Sequence, residues 1–162
     1  MEEDDVRQRL DWALEAFEDH DLYLLEKDLS ERCIAARLAF HLQVEFEDDD
    51  LVVDVEYNRD GNEIKRMALP DDCQTRKNRK NDPAVVPDII VHKRGHNGPN
   101  VLVLELKKTS NPEGNDCDRI RIERFCSELR YDFGALIECE TGFLAGPSIK
   151  VLEWLAPAAA GN

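Results

Sequence analysis

The amino-acid sequence predicts an α/β domain, in which helical segments precede and follow a series of β-strands. Two apolar runs of strand length, residues 89–91 and 101–104, lie close together near the middle of the chain. Segments with helical spacing of their apolar residues lie before and after these runs. The chain has 162 residues, of which 42% are hydrophobic. This is enough for one domain with a sizeable core.

Two helices are predicted in the first part of the chain. Residues 4–19 have apolar side chains at helical spacing: Val6, Leu10, Ala13, Leu14 and Phe17. Residues 19–28 link this helix to a second one, at about 30–45, for which Ser30 is a suitable N-cap. The buried stripe of the second helix consists of Ile34, Ala35, Leu38 and Leu42. Glu31 lies one turn before that stripe, at its inward-facing edge.

The sequence in the middle of the chain predicts two strands, then one long loop, then two further strands. Residues 50–58 alternate and are rich in β-branched side chains, and an Asp-Gly turn at 58–62 predicts that 63–69 return as the partner strand. Residues 69–86 form a polar loop bounded by prolines. Two strands, 88–92 and 101–107, then follow.

The last third predicts a third helix and two more strands. The helix begins at Asn115 or Asp116 and ends near Arg130, with a buried stripe of Ile122, Phe125, Cys126 and Leu129. Residues 132–140 and 148–155 are predicted strands. Residues 156–162 form a flexible tail with nothing to bury.

Charge and cysteine content restrict the function classes. Residues 1–60 hold 20 acids and 6 bases, which accounts for the whole net charge of −14. A generic nucleic-acid binder is therefore excluded, although residues 61–108, with 10 bases and 6 acids, leave room for one basic face. The five cysteines include no CxxC pair, which indicates reduced thiols and a cytoplasmic protein. No apolar run is long enough to span a bilayer, and a membrane partner is not expected.

Three charged residues lie at the ends of the two central strands. Because side chains alternate along a strand, Glu105 and Lys107 share one face. If the two strands are neighbours, Asp88 lies beside Glu105, and one of the two carboxyls tends to stay protonated. A divalent metal removes this conflict, and Mg²⁺ prefers such hard oxygen ligands, to which the backbone carbonyl of Leu106 adds another. The Lys107 ammonium can then polarise a water or stabilise charge on a phosphate.

The residues "VPDIIVHKRG" followed by "NVLVLELKK" resemble the signature of the PD-(D/E)XK nuclease superfamily, which has the restriction-endonuclease-like fold. The match is Pro87-Asp88, sixteen residues, then Glu105-Leu106-Lys107, and it is preceded by a helix whose Glu31 matches an additional active-site glutamate. The resemblance covers roughly residues 30–140. It implies a mixed central β-sheet flanked by helices, an αβββαβ core to which this chain adds an N-terminal helix.

The resemblance also implies a function and a cofactor. It predicts hydrolysis of phosphodiester bonds in nucleic acid, DNA more than RNA, with Mg²⁺ as the cofactor and Mn²⁺ as its substitute. Asp88, Glu105 and the Leu106 carbonyl would bind the metal, with Lys107 and Glu31 as further catalytic residues. The superfamily also includes members without catalysis. The domain division that follows is an acidic amphipathic extension (1–28), a nuclease-like domain (29–155) and the tail (156–162).

Two further groups of charged residues bear on function. Basic side chains that can bind a nucleic-acid backbone are Arg76, Lys77, Arg79, Lys80, Lys93 and Arg94, although such charges are usually just solvated. A second E-x-K pattern, Glu63 to Lys65 with Asp54 before it, is interpreted as a solvated hairpin.

Three hypotheses remain open: a nuclease, a catalytically silent module of the same fold, and an acidic interaction protein with a coincidental motif. Residues 1–28 are the expected surface for a homodimer or a partner protein.

Overall fold

The computed structural model of the chain describes residues 1–61, 63–73 and 84–156. Within them the chain forms helices α1 (Glu3–Glu26), α2 (Glu31–Glu45) and α3 (Asp116–Leu129). The strands are β1 (Val52–Val55), β2 (Arg59–Asp60), β3 (Glu63–Ile64), β4 (Ile89–His92), β5 (Asn100–Lys108), β6 (Tyr131–Glu140) and β7 (Ser148–Leu155). No helix in these ranges is long and apolar enough to cross a membrane.

Five strands form a mixed sheet in the order β1-β4-β5-β6-β7, which confirms the α/β class with a mixed central sheet. Only the central β5–β6 pair is parallel, because α3 connects these two strands, and the other three pairs are antiparallel. Strands β2 and β3 form a separate two-stranded hairpin.

Helices cover both faces of the sheet, since alternate residues of the strands point in opposite directions. On one face, apolar residues of α1 and α2 pack against Leu102, Leu104 and Leu106 of β5. On the other face, α3 packs against Val103 and Leu136. The α1 side chains belong to the same apolar cluster as α2 and the sheet, so residues 1–28 contact the rest of the domain extensively.

The predicted helices agree with the structure except in the length of the first. Ser30 caps α2 as expected, and its Oγ accepts a hydrogen bond from the Cys33 N–H at 3.3 Å. Helix α1 continues through residues 19–26, which the sequence analysis assigned to a linker. The extra turns bury Leu25 completely, and they contain neither proline nor glycine to end the helix.

The predicted pairing of β1 with residues 63–69 is wrong. β1 pairs with β4 instead, with Val53 opposite Val91. The chain leaves the sheet at Glu56, whose φ is +51°, and the Glu56 N–H donates to the carbonyl of Asp88 at 3.1 Å. The Asp-Gly turn therefore closes only the short β2–β3 hairpin, because the backbone has already changed direction before it.

The expectation of five reduced thiols is also wrong. Cys73 and Cys117 form a disulfide. The bond joins the chain segment that follows β3 to the first turn of α3. The other three cysteines are free. A separation of 44 residues hides this pair from any analysis of local spacing.

Candidate active site at one edge of the sheet

The beginning of β4 lies beside the end of β5 because these strands are antiparallel. Ile89 pairs with Leu104, so Asp88, one residue earlier, lies opposite Glu105, one residue later. Asp88 is held in place by the backbone of β5, since its Oδ2 accepts the Leu106 N–H at 2.8 Å. The expected juxtaposition of the two carboxyls is thus present in the structure.

Glu105 is buried and Asp88 is half-buried, and both carboxyls are harder to ionise than usual. Burial and then the neighbouring Asp88 raise the pKa of Glu105 to about 8. Burial is the main cause that raises the pKa of Asp88 to about 6; the Leu106 hydrogen bond and Arg121 oppose the shift, and Glu31 and Asp118 add to it. Two acids that are removed from water and placed next to each other attract either a proton or a cation.

Lys107 shares the α3-facing side of β5 with Glu105, as alternation predicts. Its Nζ lies 3.5 Å from Asp118 Oδ2 and 4.0 Å from Glu113 Oε2, and its side chain is 11% exposed. The ammonium is therefore held at the base of α3, beside the carboxyl pair.

Two side chains of α3 complete the cluster, and the sequence analysis missed both. Arg121 Nη2 donates to Glu105 Oε2 at 2.8 Å and to Asp118 Oδ1 at 2.5 Å. Asp118 precedes Ile122 by four positions and Phe125 by seven, so it occupies a position of the buried stripe of α3. A charged residue within an apolar stripe was the signal that would have identified it.

Glu31 enters the site from the first turn of α2. Its Oε1 accepts the Lys108 N–H at 3.2 Å, which attaches this helix to the end of β5. Lys108 itself points to the opposite face from Lys107, where its Nζ binds Asp28 Oδ1 at 3.0 Å and the Leu29 carbonyl at 3.1 Å.

These elements surround a cavity of about 840 Å³, which we call the acidic pocket. Asp88, Leu106 and Lys107 line its floor together with Glu31. Its other lining residues include the disulfide: Asp72, Cys73, Asn111, Glu113, Gly114, Asp116, Cys117, Asp118 and Arg121. Among the described residues, six acids and two bases line the pocket, and the charge of this part of the lining favours a cation.

The predicted metal ligands fit a hard divalent cation in their chemistry. Glu105 Oε1 is buried and has no hydrogen-bond partner within the described residues. Asp88 and the Leu106 carbonyl are the other oxygen donors beside it. In the described ranges no group of three or more His, Cys, Asp or Glu side chains is placed to hold a metal. Magnesium does not require three, because it commonly takes one or two carboxylates and keeps several waters.

Of the predicted nucleic-acid-binding residues, only Lys93 and Arg94 are described by the structure, and neither lines the acidic pocket. Arg76, Lys77, Arg79 and Lys80 lie outside the described residues. Lys93 and Arg94 follow the far end of β4, and each has an acidic partner: Lys93 Nζ lies 2.6 Å from Asp50 Oδ2, and Arg94 Nε donates to Asp54 Oδ2 at 2.7 Å.

The interpretation of the second E-x-K pattern as a solvated hairpin is wrong for Lys65, although Glu63 is exposed. Lys65 is only 1% exposed, and its Nζ lies near the rings of Tyr57 and Tyr131, at 5.0 and 5.5 Å from their centroids. Burial lowers the pKa of Lys65 to about 8. Tyr57 lies eight residues before Lys65, but Tyr131 comes from a distant part of the chain, which local hydropathy does not indicate.

Asp54, the acid of that second pattern, has other partners. Its Oδ2 lies 2.9 Å from Nε2 of the buried His92, and both oxygens are bound by Arg94. This acid is fully engaged, and it lies with His92 away from the residues that line the acidic pocket.

Comparison of the chain with protein-family models, with curated proteins and with solved structures finds no match. The chemistry of the acidic pocket is therefore inferred from its own residues.

Proposed function

We propose that the chain is a divalent-cation-dependent nuclease with a restriction-endonuclease-like arrangement, acting on DNA, with RNA as the alternative substrate. The observation that carries this proposal is the carboxyl pair at the end of β5: Asp88 lines the acidic pocket beside Lys107, and the buried Glu105 lies next to Asp88 behind the pocket wall. The order of elements α2, β1, β4, β5, α3 and β6 agrees with the αβββαβ core of that fold.

The charge of the pocket explains why a cation would be needed. A phosphodiester is anionic, and six acidic side chains around the pocket would repel it. Asp88, Glu105 and the Leu106 carbonyl would hold Mg²⁺ or Mn²⁺ there, and the bound ion would supply an acidified water and compensate the phosphate charge.

The residues of the chain have separate tasks in this proposal. Asp118 holds Lys107 so that its ammonium stays at the pocket floor, where it can orient a water or stabilise charge developing on the phosphate. Glu31 connects α2 to β5 and keeps the wall of the pocket in register with its floor.

The test is calorimetric titration of Mg²⁺ and Mn²⁺ into metal-free protein, together with a plasmid-nicking assay. We expect wild type to bind the cation, and Asp88→Asn and Glu105→Gln to weaken binding by about tenfold or more. Glu63→Gln, which removes an exposed acid of the second E-x-K pattern, is the matched control and should bind normally.

Nicking should fall by about 100-fold in Lys107→Ala, the loss typical of removing one group that stabilises transition-state charge. Lys150→Ala, on an exposed lysine paired with Glu138, is the matched control and should nick at the wild-type rate. Absence of cation binding that depends on Asp88 and Glu105 would overturn the proposal.

A second candidate is a catalytically silent module of the same fold. The observation that favours it is that Arg121 and Lys107 already neutralise part of the acidic cluster without any metal. This candidate predicts a folded pocket and no nicking of any plasmid, single strand or RNA, with or without Mn²⁺.

A further inference from the structure

Four charged side chains form a chain of contacts between β5 and α3, in the order Glu105, Arg121, Asp118 and Lys107. The distances are 2.8 Å from Arg121 to Glu105, 2.5 Å from Arg121 to Asp118, and 3.5 Å from Asp118 to Lys107. Their side chains are 1%, 18%, 8% and 11% exposed in that order. Buried charges of this kind are stable only when their hydrogen bonds are largely satisfied.

This network is incomplete as it stands. Glu105 Oε1, Asp118 Oδ2 and Arg121 Nε are all buried, and none has a hydrogen-bond partner among the described residues. Asp118 Oδ2 has only the longer ion pair with Lys107. Buried unsatisfied groups are uncommon, and three in a single cluster, of which Asp118 and Arg121 line the acidic pocket, point to a ligand that completes it.

The unsatisfied atoms require two different ligands, one that donates a hydrogen bond or is a cation, and one that accepts a hydrogen bond. A carboxylate oxygen such as Glu105 Oε1 needs a donor or a cation, whereas the Arg121 Nε–H needs an acceptor. A cation paired with an anionic oxygen supplies both, and a metal-bound phosphate is such a pair. Arg121 is suited to the anionic part because its planar guanidinium can bind phosphate oxygens with two parallel hydrogen bonds.

We propose that Arg121 is an exchangeable partner of Glu105: it donates a hydrogen bond to Glu105 in the cation-free protein, and it leaves Glu105 and binds the substrate phosphate when a cation arrives. The proposal rests on the nuclease function proposed above. Asp118 keeps its contact with Arg121 during the exchange, because that contact lies within α3 and does not depend on β5. Only the contact between Arg121 and Glu105 has to break.

The structure provides for such an exchange. Arg121 binds Glu105 through the single atom Nη2, so one hydrogen bond to β5 is lost when it moves. The position of Asp118 is restrained, because the adjacent Cys117 forms the disulfide with Cys73 on the pocket wall. Arg121 itself lines the acidic pocket, so its guanidinium can reach a bound anion without rearrangement of the helix.

The test compares Mn²⁺ affinity in wild type and Arg121→Gln by calorimetry, with no phosphate present. Because the guanidinium competes with the cation for Glu105, we expect Arg121→Gln to bind Mn²⁺ about tenfold more tightly, as removal of one charge-assisted competitor predicts. With saturating Mn²⁺, the same variant should bind inorganic phosphate about tenfold more weakly. Arg124→Gln, which removes an exposed arginine of the same helix, should change neither affinity.

Arg121→Lys covers the case in which Arg121→Gln does not fold. Its ammonium keeps the charge but lacks the planar fork, so we expect phosphate affinity to fall while Mn²⁺ affinity changes less than in Arg121→Gln. Mn²⁺ binding that is unchanged or weaker in every folded Arg121 variant would overturn the exchange and leave the nuclease proposal intact. Failure of wild type to bind Mn²⁺ through Asp88 and Glu105 would instead reject the nuclease proposal, and the exchange with it.

Discussion

At the scale of single residues, the carboxyl pair of Glu105 and Asp88 links stability to pH. Glu105 is 1% exposed, and its pKa lies at about 8 in place of the ordinary 4.5. Asp88 is shifted from 3.8 to about 6. Burial disfavours the ionised form of both, and the Asp88 carboxylate further disfavours ionisation of Glu105. The cation-free protein therefore binds more protons at this site than the unfolded chain does.

The direction in which pH changes the stability follows from this difference in bound protons. A group whose pKa is raised by folding stabilises the protein fully below its unfolded pKa, and this stabilisation is lost as the pH rises through its folded pKa. We expect the free energy of unfolding to fall between about pH 5 and pH 8, and Glu105→Gln to flatten the upper part of the curve. Urea unfolding in EDTA at successive pH values measures this.

The control for this prediction is Glu63→Gln, which should preserve the wild-type pH dependence because Glu63 is exposed. A wild-type free energy of unfolding that rises steadily from pH 5 to pH 8 would contradict the assigned shifts of Glu105 and Asp88.

At the scale of elements, the close packing of α3 on β6 determines where Arg121 and Asp118 lie. A Cβ atom built on Gly134 of β6 would come within 2.2 Å of Ile122 Cγ2 and 3.3 Å of Cys126 Sγ. The helix therefore packs directly onto the strand backbone. Without this contact α3 would be displaced outwards, and its charged first turns would be moved away from β5.

We expect Gly134→Ala to lower the free energy of unfolding by about 1–3 kcal/mol, the usual cost of overpacking a core. Urea unfolding measures the effect. Gly114→Ala is the matched control, because its added Cβ would meet nothing within 4 Å. If Ile122 is the obstacle, Ile122→Ala combined with Gly134→Ala should cost less than the sum of the single changes. Additive costs would contradict the clash.

At the scale of the whole molecule, the Cys73–Cys117 disulfide connects the segment after the β2–β3 hairpin to α3 across 44 residues. Cross-linking a chain over a loop of this length removes conformational entropy from the unfolded state. The bond also lies on the wall of the acidic pocket, so it joins two parts of the site that have no other covalent constraint.

We expect Cys73→Ser combined with Cys117→Ser to lower the free energy of unfolding by about 4 kcal/mol, the chain-entropy value for a loop of this length. Denaturant unfolding with and without reductant measures the effect, since reductant should destabilise wild type and leave the double variant unchanged. Cys33→Ser, at a free cysteine, is the control. Insensitivity of the wild type to reductant would contradict the prediction.

The fold was largely predictable where the signal is local. Ser30 begins α2 as a cap, and the alternation of β5 separates Glu105 and Lys107 from Leu104 and Leu106. These features follow from neighbours a few positions apart, whose spacing alone decides the face on which a side chain lies. The antiparallel neighbours β4 and β5 then bring Asp88 to Glu105 by a short connection.

What the sequence by itself determined is the α/β class, most of the strands and helices, and the expectation of acids and a lysine at one sheet edge. The tertiary structure alone decided that β1 pairs with β4, that Lys65 is buried, and that Arg121 and Asp118 join the site. The physical reason is sequence separation: these contacts join elements through packing of whole faces, and no periodicity within either element specifies its partner.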